Sequence, residues 1–480
     1  MEKEKVVSSL AYNFIERISV KLVGLVISII LARLIAPDDL GQLAIITVFI
    51  NLSQTIIQGG FNTALIQSKT TDETDYSTVF YISLSAAIVL IAALYIGAPF
   101  ISHYYETDAL TWPIRAYSFV LLFGAFNSVQ LAKLQKEMKF KITMYATLIA
   151  TVLSGILGIA MAYLGLGLWA LVIYNASHVV FSCLTMLASA RWIPRLVFSF
   201  ERAKQLFSYG WKMFVSAILC SVYYDIRTLI VGKKFSTEDL GYYDRGQQFP
   251  IVISQNLSYA IQAVMFPTLA ACQDEISRVK ALLRRSVTLG AIVIVPMMVG
   301  LAVTAESVIL LLLTDKWLPC LIYMQIVCIA EASLSLCSSN LVAIKAIGRS
   351  DVYMKLEIVR RVLMLVVLAI SLFCFNSPVA IAVGFLISSW LDYIVITIPV
   401  KKLLNYGLLE QLKDLWKIFA AAAVMGVVVY AVSLVKMGLL LGLCVQIATG
   451  VAVYVVACWL LKIESFIYLK NMIMEKIGRR

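Results

Sequence analysis

The chain has 480 residues, 61% of them hydrophobic and 14% charged, with a formal net charge of +12. At a mean hydropathy of +0.89 too little polar surface is left for a water-soluble globule, which excludes a globular secreted protein, a disordered chain and a nucleic-acid binder. What remains is an integral membrane protein with many spans.

The opening segment MEKEKVVSSL is charged and polar, and the first apolar run carries Glu16, Arg17 and Lys21 without a small-residue cleavage site after it, so a secretory signal is not expected. A membrane helix takes about 20 mainly apolar residues to cross about 30 Å of hydrocarbon. Fourteen such runs follow, near 10–34, 40–62, 78–100, 114–131, 142–163, 168–189, 206–232, 240–268, 286–313, 319–344, 356–375, 378–399, 415–435 and 439–461. They are continuous rather than alternating at strand period, which excludes a β-barrel and predicts an all-α polytopic membrane protein.

Span 1 carries the sharpest signal. Eleven residues separate Lys21 from Arg33, about 17 Å of helix, so the span has to take in Arg17 and Lys21. Asn13, Arg17, Lys21, Gly24 and Ser28 recur at three- and four-residue steps and give one polar face. Charge at mid-bilayer costs a few kcal/mol, so such a face should look into protein or water; snorkelling to the headgroups is the alternative, stronger for Arg17 than for Lys21. In span 2, Thr47, Asn51, Gln54, Gln58 and Asn62 form a second polar stripe at helical spacing. Arg115 opens span 4 and reads equally as a cavity cation or an interface anchor. His178 stands alone on span 6, a packed or cavity histidine rather than a ligand.

Two hundred residues on, Thr237-Glu238-Asp239-Leu240-Gly241 repeats Pro37-Asp38-Asp39-Leu40-Gly41, and Gln247, Ile251, Ser254, Ser258 and Gln262 repeat the stripe with one apolar exception. Asp-Leu-Gly is also a plain helix-start pattern. The offset covers six spans, so the copies share one topology and predict two lobes, 1–200 and 201–402, as parallel repeats, with spans 13 and 14 and a tail over 403–480. Span 7 presents Tyr209, Lys212, Ser216, Cys220, Tyr223 and Arg227 on one face, with Asp225 beside Arg227. Span 8 opens with Asp244, Arg245, Gln247 and Gln248, too polar for lipid. In span 11, Glu357 lies three and four residues before Arg360 and Arg361, an intrahelical pair near the headgroups. The last two spans hold few polar residues and suit lipid contact. The nine cysteines fall mostly inside apolar runs without a CxxC pair and read as packing.

With both termini in the cytoplasm, the outer loops hold only Arg33, Lys233, Lys234, Lys316 and Lys436, against inner clusters such as Lys133, Lys136, Lys139 and Lys141. This is the positive-inside asymmetry, and it accounts for the net charge as a cytoplasmic rim facing anionic lipid. The cavity cations Arg17, Lys21, Arg227, Arg245 and Arg115, lined further by Asn13, Asn51, Gln54, Gln58, Asn62, Tyr223, Asp225, Asp244, Gln247, Gln248, Ser254, Ser258 and Gln262, predict an anionic solute. Arginine suits phosphate through paired hydrogen bonds. No Walker A motif and no HExxH is present.

Leu31-Ala32-Arg33-Leu34-Ile35-Ala36-Pro37-Asp38-Asp39-Leu40-Gly41 followed by an amphipathic span, Phe61-Asn62-Thr63-Ala64-Leu65-Ile66-Gln67 and Gly241-Tyr242-Tyr243-Asp244-Arg245 carry a resemblance. With the 6+6+2 plan, the chain resembles the Wzx-type polysaccharide flippases of the multidrug/oligosaccharidyl-lipid/polysaccharide exporter superfamily, including colanic acid and teichuronic acid exporters, most clearly over about 1–270. The resemblance implies a non-enzymatic transporter in the bacterial cytoplasmic (inner) membrane. Its substrate would be an undecaprenyl-diphosphate-linked oligosaccharide, moved by alternating access without ATP hydrolysis among membrane lipids, with the pathway's polymerase and chain-length proteins as partners. It implies no cofactor, and no residue marks a coupling ion, H+ or Na+. A multidrug or organic-cation exporter, which should show an acidic cavity, and a membrane-embedded polymerase or ligase of lipid-linked sugars are the alternatives.

Overall fold

In a computed structural model of the chain, residues 19–68, 71–190, 192–435 and 437–467 are described. Among them every regular element is a helix and none is a strand. This is what apolar runs of this length require: in hydrocarbon a backbone satisfies its hydrogen bonds within a helix or around a closed barrel, and continuous runs without strand-period alternation suit only the helix.

Two compact units divide the chain, Met1–Gly241 and Tyr242–Arg480. The first unit begins with helix α1 over 19–34 and continues with α2 (Pro37–Gln58), α3 (Phe61–Gln67), α4 (Glu73–Tyr104), α5 (Thr111–Ser118), α6 (Val120–Lys136), α7 (Phe140–Tyr163), α8 (Leu168–Ala190) and α9 (Phe200–Lys234). Helix α10 (Thr237–Ala270) leads into the second unit, with α11 (Ile276–Leu312), α12 (Leu321–Glu331), α13 (Leu334–Ala346), α14 (Ser350–Cys374), α15 (Pro378–Leu404), α16 (Leu408–Ser433) and α17 (Leu439–Leu460). Eleven spans among the described residues are long and apolar enough to cross a membrane. Helices α1, α9 and α14 occupy the positions of spans 1, 7 and 11, so the structure is compatible with the fourteen expected.

Three spans that read as unbroken are interrupted. Span 2 breaks between α2 and α3 at Gly59 and Gly60, with φ of 52° and 72°, where a Cβ on Gly60 would meet the carbonyl of Gly210 in α9. Only glycine reconciles a left-handed backbone with that approach. Span 4 is α5 plus α6. Span 10 is a 3₁₀ turn at Asp315–Cys320 followed by α12 and α13.

Local chemistry explains several helix starts. Asp72 and Asp75 form a reciprocal capping box on α4, each carboxylate accepting the other's backbone N–H at 3.0 Å. The Asp75 amide, with Arg202 beyond it, holds the Asp72 carboxyl below its ordinary value. Ser199 caps α9 and Ser377 caps α15, which has Pro378 in its first turn. Small residues let backbones approach: a Cβ on Gly158 of α7 would lie 2.7 Å from Cβ of Tyr174 on α8. Helix α17 buries little, only Gln446, Gly450 and Cys458. Cys183, Cys272, Cys320, Cys328, Cys337 and Cys458 are buried free thiols, while Cys374 and Cys444 are exposed.

The duplicated segments meet each other inside the first unit. The Thr237 hydroxyl donates to Asp38, a Cβ on Gly41 would strike the Thr237 carbonyl, and one on Gly241 the Pro37 carbonyl. The contact is reciprocal, as two copies of one motif allow. Overpacking typically costs about 1–3 kcal/mol, so Gly41→Ala should lower the thermal unfolding midpoint in detergent. Gly97→Ala, where nothing lies within 4 Å, should leave it unchanged.

Candidate functional site

Three residues of the polar stripe of span 2, Gln54 and Gln58 of α2 and Asn62 of α3, line a cavity of about 420 Å³ in the first unit, within the range of small-molecule sites. The opposite wall comes from Asn127, Ser128 and Gln135 of α6, Thr143 and Thr147 of α7, and His178 and Ser182 of α8. Among the described residues no Asp, Glu, Lys or Arg lines it.

Only part of this polar inventory is used internally. Ser128 Oγ donates to Asn62 Oδ1 at 2.9 Å, and His178 Nε2 lies 3.3 Å from Thr151 Oγ1. Asn127 Oδ1 and Thr143 Oγ1 are buried without a hydrogen-bond partner among the described residues. Buried polar atoms normally have partners; the amides that a hydroxylated solute can reach are those of Gln54, half-buried, and Gln58, exposed. The residues beyond span 2 carried a usable signal: 124, 127 or 128, 131 and 135 recur at helical steps on span 4, as do 143 and 147 on span 5 and 178 and 182 on span 6.

Cations at one rim of this unit hold the protein together. Lys136 Nζ donates to the carbonyls of Leu65 and Ser68 at 3.0 and 2.7 Å and to Thr71 Oγ1 at 2.6 Å, fastening the connection from α3 to α4. Glu73 accepts from Lys133 at 2.7 Å and from Trp192 Nε1 at 2.6 Å.

The other sequence-derived positions fall elsewhere. Arg17 and Asn13 lie outside the described residues, as does the side chain of Tyr223. Lys21 and Asn51 are exposed, on α1 and α2. Arg115 places its guanidinium 4.5 Å from the Tyr95 ring centroid and 5.2 Å from that of Trp112, and its Nε donates to the Tyr95 carbonyl at 3.0 Å. Arg227 is half-buried on α9, and Asp225 accepts from Ser221 Oγ at 3.3 Å. None of Lys21, Arg115 and Arg227 lines the amide cavity.

In the second unit Arg245 is 5% exposed, donates to Gln248 Oε1 at 2.5 Å and lies 5.5 Å from the ring centroid of the buried Trp317. Asp244, Gln247 and Gln262 are half-buried. The second copy of the stripe is turned inward: Ser254 donates to Glu331 on α12, and Ser258 is buried.

Residues 30–322, more than half of the chain, match the polysaccharide biosynthesis protein family. The chain belongs to that family. As a polysaccharide biosynthesis protein it is a multi-pass membrane protein, 23% identical over 437 residues to the teichuronic acid biosynthesis protein TuaB of Bacillus subtilis, covering 88% of each chain. It is 24% identical over 444 residues to the lipopolysaccharide biosynthesis protein WzxC of Escherichia coli, covering 91% of this chain and 89% of that one. Its fold matches the lipid II flippase MurJ in an inward closed conformation with a TM-score of 0.78 at 15% identity, over 97% of this chain and 100% of that one.

Proposed function

We propose that this polysaccharide biosynthesis protein is a flippase. It moves an undecaprenyl-diphosphate-linked oligosaccharide across the bacterial cytoplasmic membrane by alternating access, with both termini in the cytoplasm and lobes over 1–200 and 201–402. It catalyses no covalent change and takes no cofactor, H+ or Na+ being the coupling ions it allows. The polymerase and chain-length proteins of the same pathway are its partners. The observation that carries this is the cavity, lined among the described residues by amides and hydroxyls and by no carboxylate, lysine or arginine, in a member of this family. Sugar hydroxyls donate and accept alike, and carboxamides answer both roles.

Among the described residues the lining of that cavity offers an organic cation no carboxylate, which argues against a multidrug exporter. The diphosphate falls to the cations Arg17, Lys21, Arg227 and Arg245, with Arg115 as the outermost member of the set. Combined Arg17→Ala, Lys21→Ala and Arg227→Ala should abolish surface polymer in cells that otherwise make it, while Arg17→Lys should retain part of it. Normal polymer from the triple variant, at normal protein levels, would remove the phosphate role.

A further inference from the structure

A second cavity, of about 510 Å³, lies in the second unit where the starts of α11 and α16 meet the turn after α17. Its walls carry Arg284, Arg285, Lys413, Lys417 and Lys462 against Asp414 and Glu464. Asp414 is already engaged, accepting from Arg284 Nη2 at 2.5 Å and from Tyr406 Oη at 2.8 Å. Lys417 Nζ donates to the Leu461 carbonyl at 3.1 Å, which fixes the turn where Lys462 stands at a φ of 48°. Among the described residues five cations on three chain segments thus face two carboxylates.

The surface beyond the cations changes character at helical spacing. On α11, Arg285 is followed at four-residue steps by Leu289, Val293 and Met297, the last two 36% and 44% exposed. On α16, Lys413 and Lys417 are followed by Ala420 and Val424, the latter 53% exposed. Trp416, 55% exposed, stands beside the two lysines as an interfacial aromatic does. A basic concavity continued by two apolar rows, half-buried at Leu289 and Ala420 and exposed at Val293, Met297 and Val424, has the polarity of a lipid: headgroup first, chains after.

We propose that this pocket binds an anionic phospholipid. The phosphate of a phosphatidylglycerol-type headgroup sits among Arg285, Lys413 and Lys462, and the acyl chains lie along Leu289–Met297 of α11 and Ala420–Val424 of α16. Basic pockets between helices at a leaflet surface hold such headgroups, and guanidinium and ammonium groups suit their phosphate. The bound lipid ties α16 and the turn after α17 to α11. The site is independent of the transported substrate.

The test uses the purified full-length protein in detergent, titrated separately with dioleoyl phosphatidylglycerol, dioleoyl phosphatidylcholine and inorganic phosphate, and read by thermal midpoint and by lipid retained in native mass spectrometry. Phosphatidylglycerol should raise the midpoint and stay bound, while phosphatidylcholine and free phosphate do neither. Arg285→Gln with Lys413→Gln should weaken the phosphatidylglycerol response about tenfold, and Arg285→Lys with Lys413→Arg should retain it. An equal response to phosphatidylcholine or to free phosphate, or an unchanged response in the glutamine variant, overturns the proposal. The lipid comparison on the unaltered protein decides the point even where a variant fails to fold.

Discussion

Arg360→Ala is expected to destabilise the second unit by about 3–5 kcal/mol, the cost of breaking a buried ion pair from one side. Arg360 Nη2 donates to Asp392 Oδ2 on α15 at 2.8 Å, and its Nη1 to Glu357 Oε1 on its own helix at 2.6 Å. The Arg360 and Asp392 side chains are only 12% and 10% exposed. Removing the guanidinium strands the Asp392 carboxylate in a protein interior. Glu357 fares better, because Arg361 Nη2 also reaches it at 3.3 Å. The damage should therefore trace to Asp392, and Arg360→Met combined with Asp392→Leu should recover most of the lost midpoint, since apolar replacement of a whole buried pair is often neutral. Thermal unfolding of the single and double variants in detergent reads this directly. A double variant no more stable than Arg360→Ala alone would show that the arginine acts through some other contact.

That pair also marks where reading the sequence stops. Glu357, Arg360 and Arg361 are visible as an intrahelical set because three- and four-residue steps share a helix face. Asp392 lies 32 residues from Arg360, and the contact exists only because α14 and α15 pack side by side. The same limit governs the amide cavity. Gln54, Gln58 and Asn62 are legible as one stripe, and shorter helical repeats run through Asn127 and Gln135 of α6, Thr143 and Thr147 of α7 and His178 and Ser182 of α8, but these become a wall only when α6, α7 and α8 are set against α2. Charges were legible as unusual but not as to partner: Arg115 stacks on Tyr95 and Trp112, and Arg245 on Trp317, contacts no spacing rule contains. Helix existence followed directly from apolar length. The break at Gly59 and Gly60 did not, because it is fixed by the approach of Gly210 from a distant helix.

A large functional effect is also expected at the amide cavity. Gln54→Leu with Gln58→Leu keeps most of the side-chain bulk and removes hydrogen-bonding capacity from a lining that otherwise faces a hydroxylated solute. A hydrogen bond left unmade in such a site costs about 1–3 kcal/mol, and each 1.4 kcal/mol is tenfold, so transport of the lipid-linked oligosaccharide by the double variant in proteoliposomes should fall by about a hundredfold. The fold should survive, because neither residue anchors a helix contact in the way Ser128 and Asn62 anchor each other. An independent route to the same outcome runs through Gly124, where a Cβ would meet only Gln54 Cγ, at 4.0 Å. Gly124→Met therefore extends into the cavity without moving backbone, and should block transport by filling space rather than by removing polarity. The two classes separate on substrate size. If the cavity receives sugar, the amide variants should handle undecaprenyl diphosphate without sugar nearly normally and lose more with each added residue. An equal loss with the bare diphosphate would place these amides at the phosphate or in the protein's own packing, and the cavity would then have to be read as a structural void.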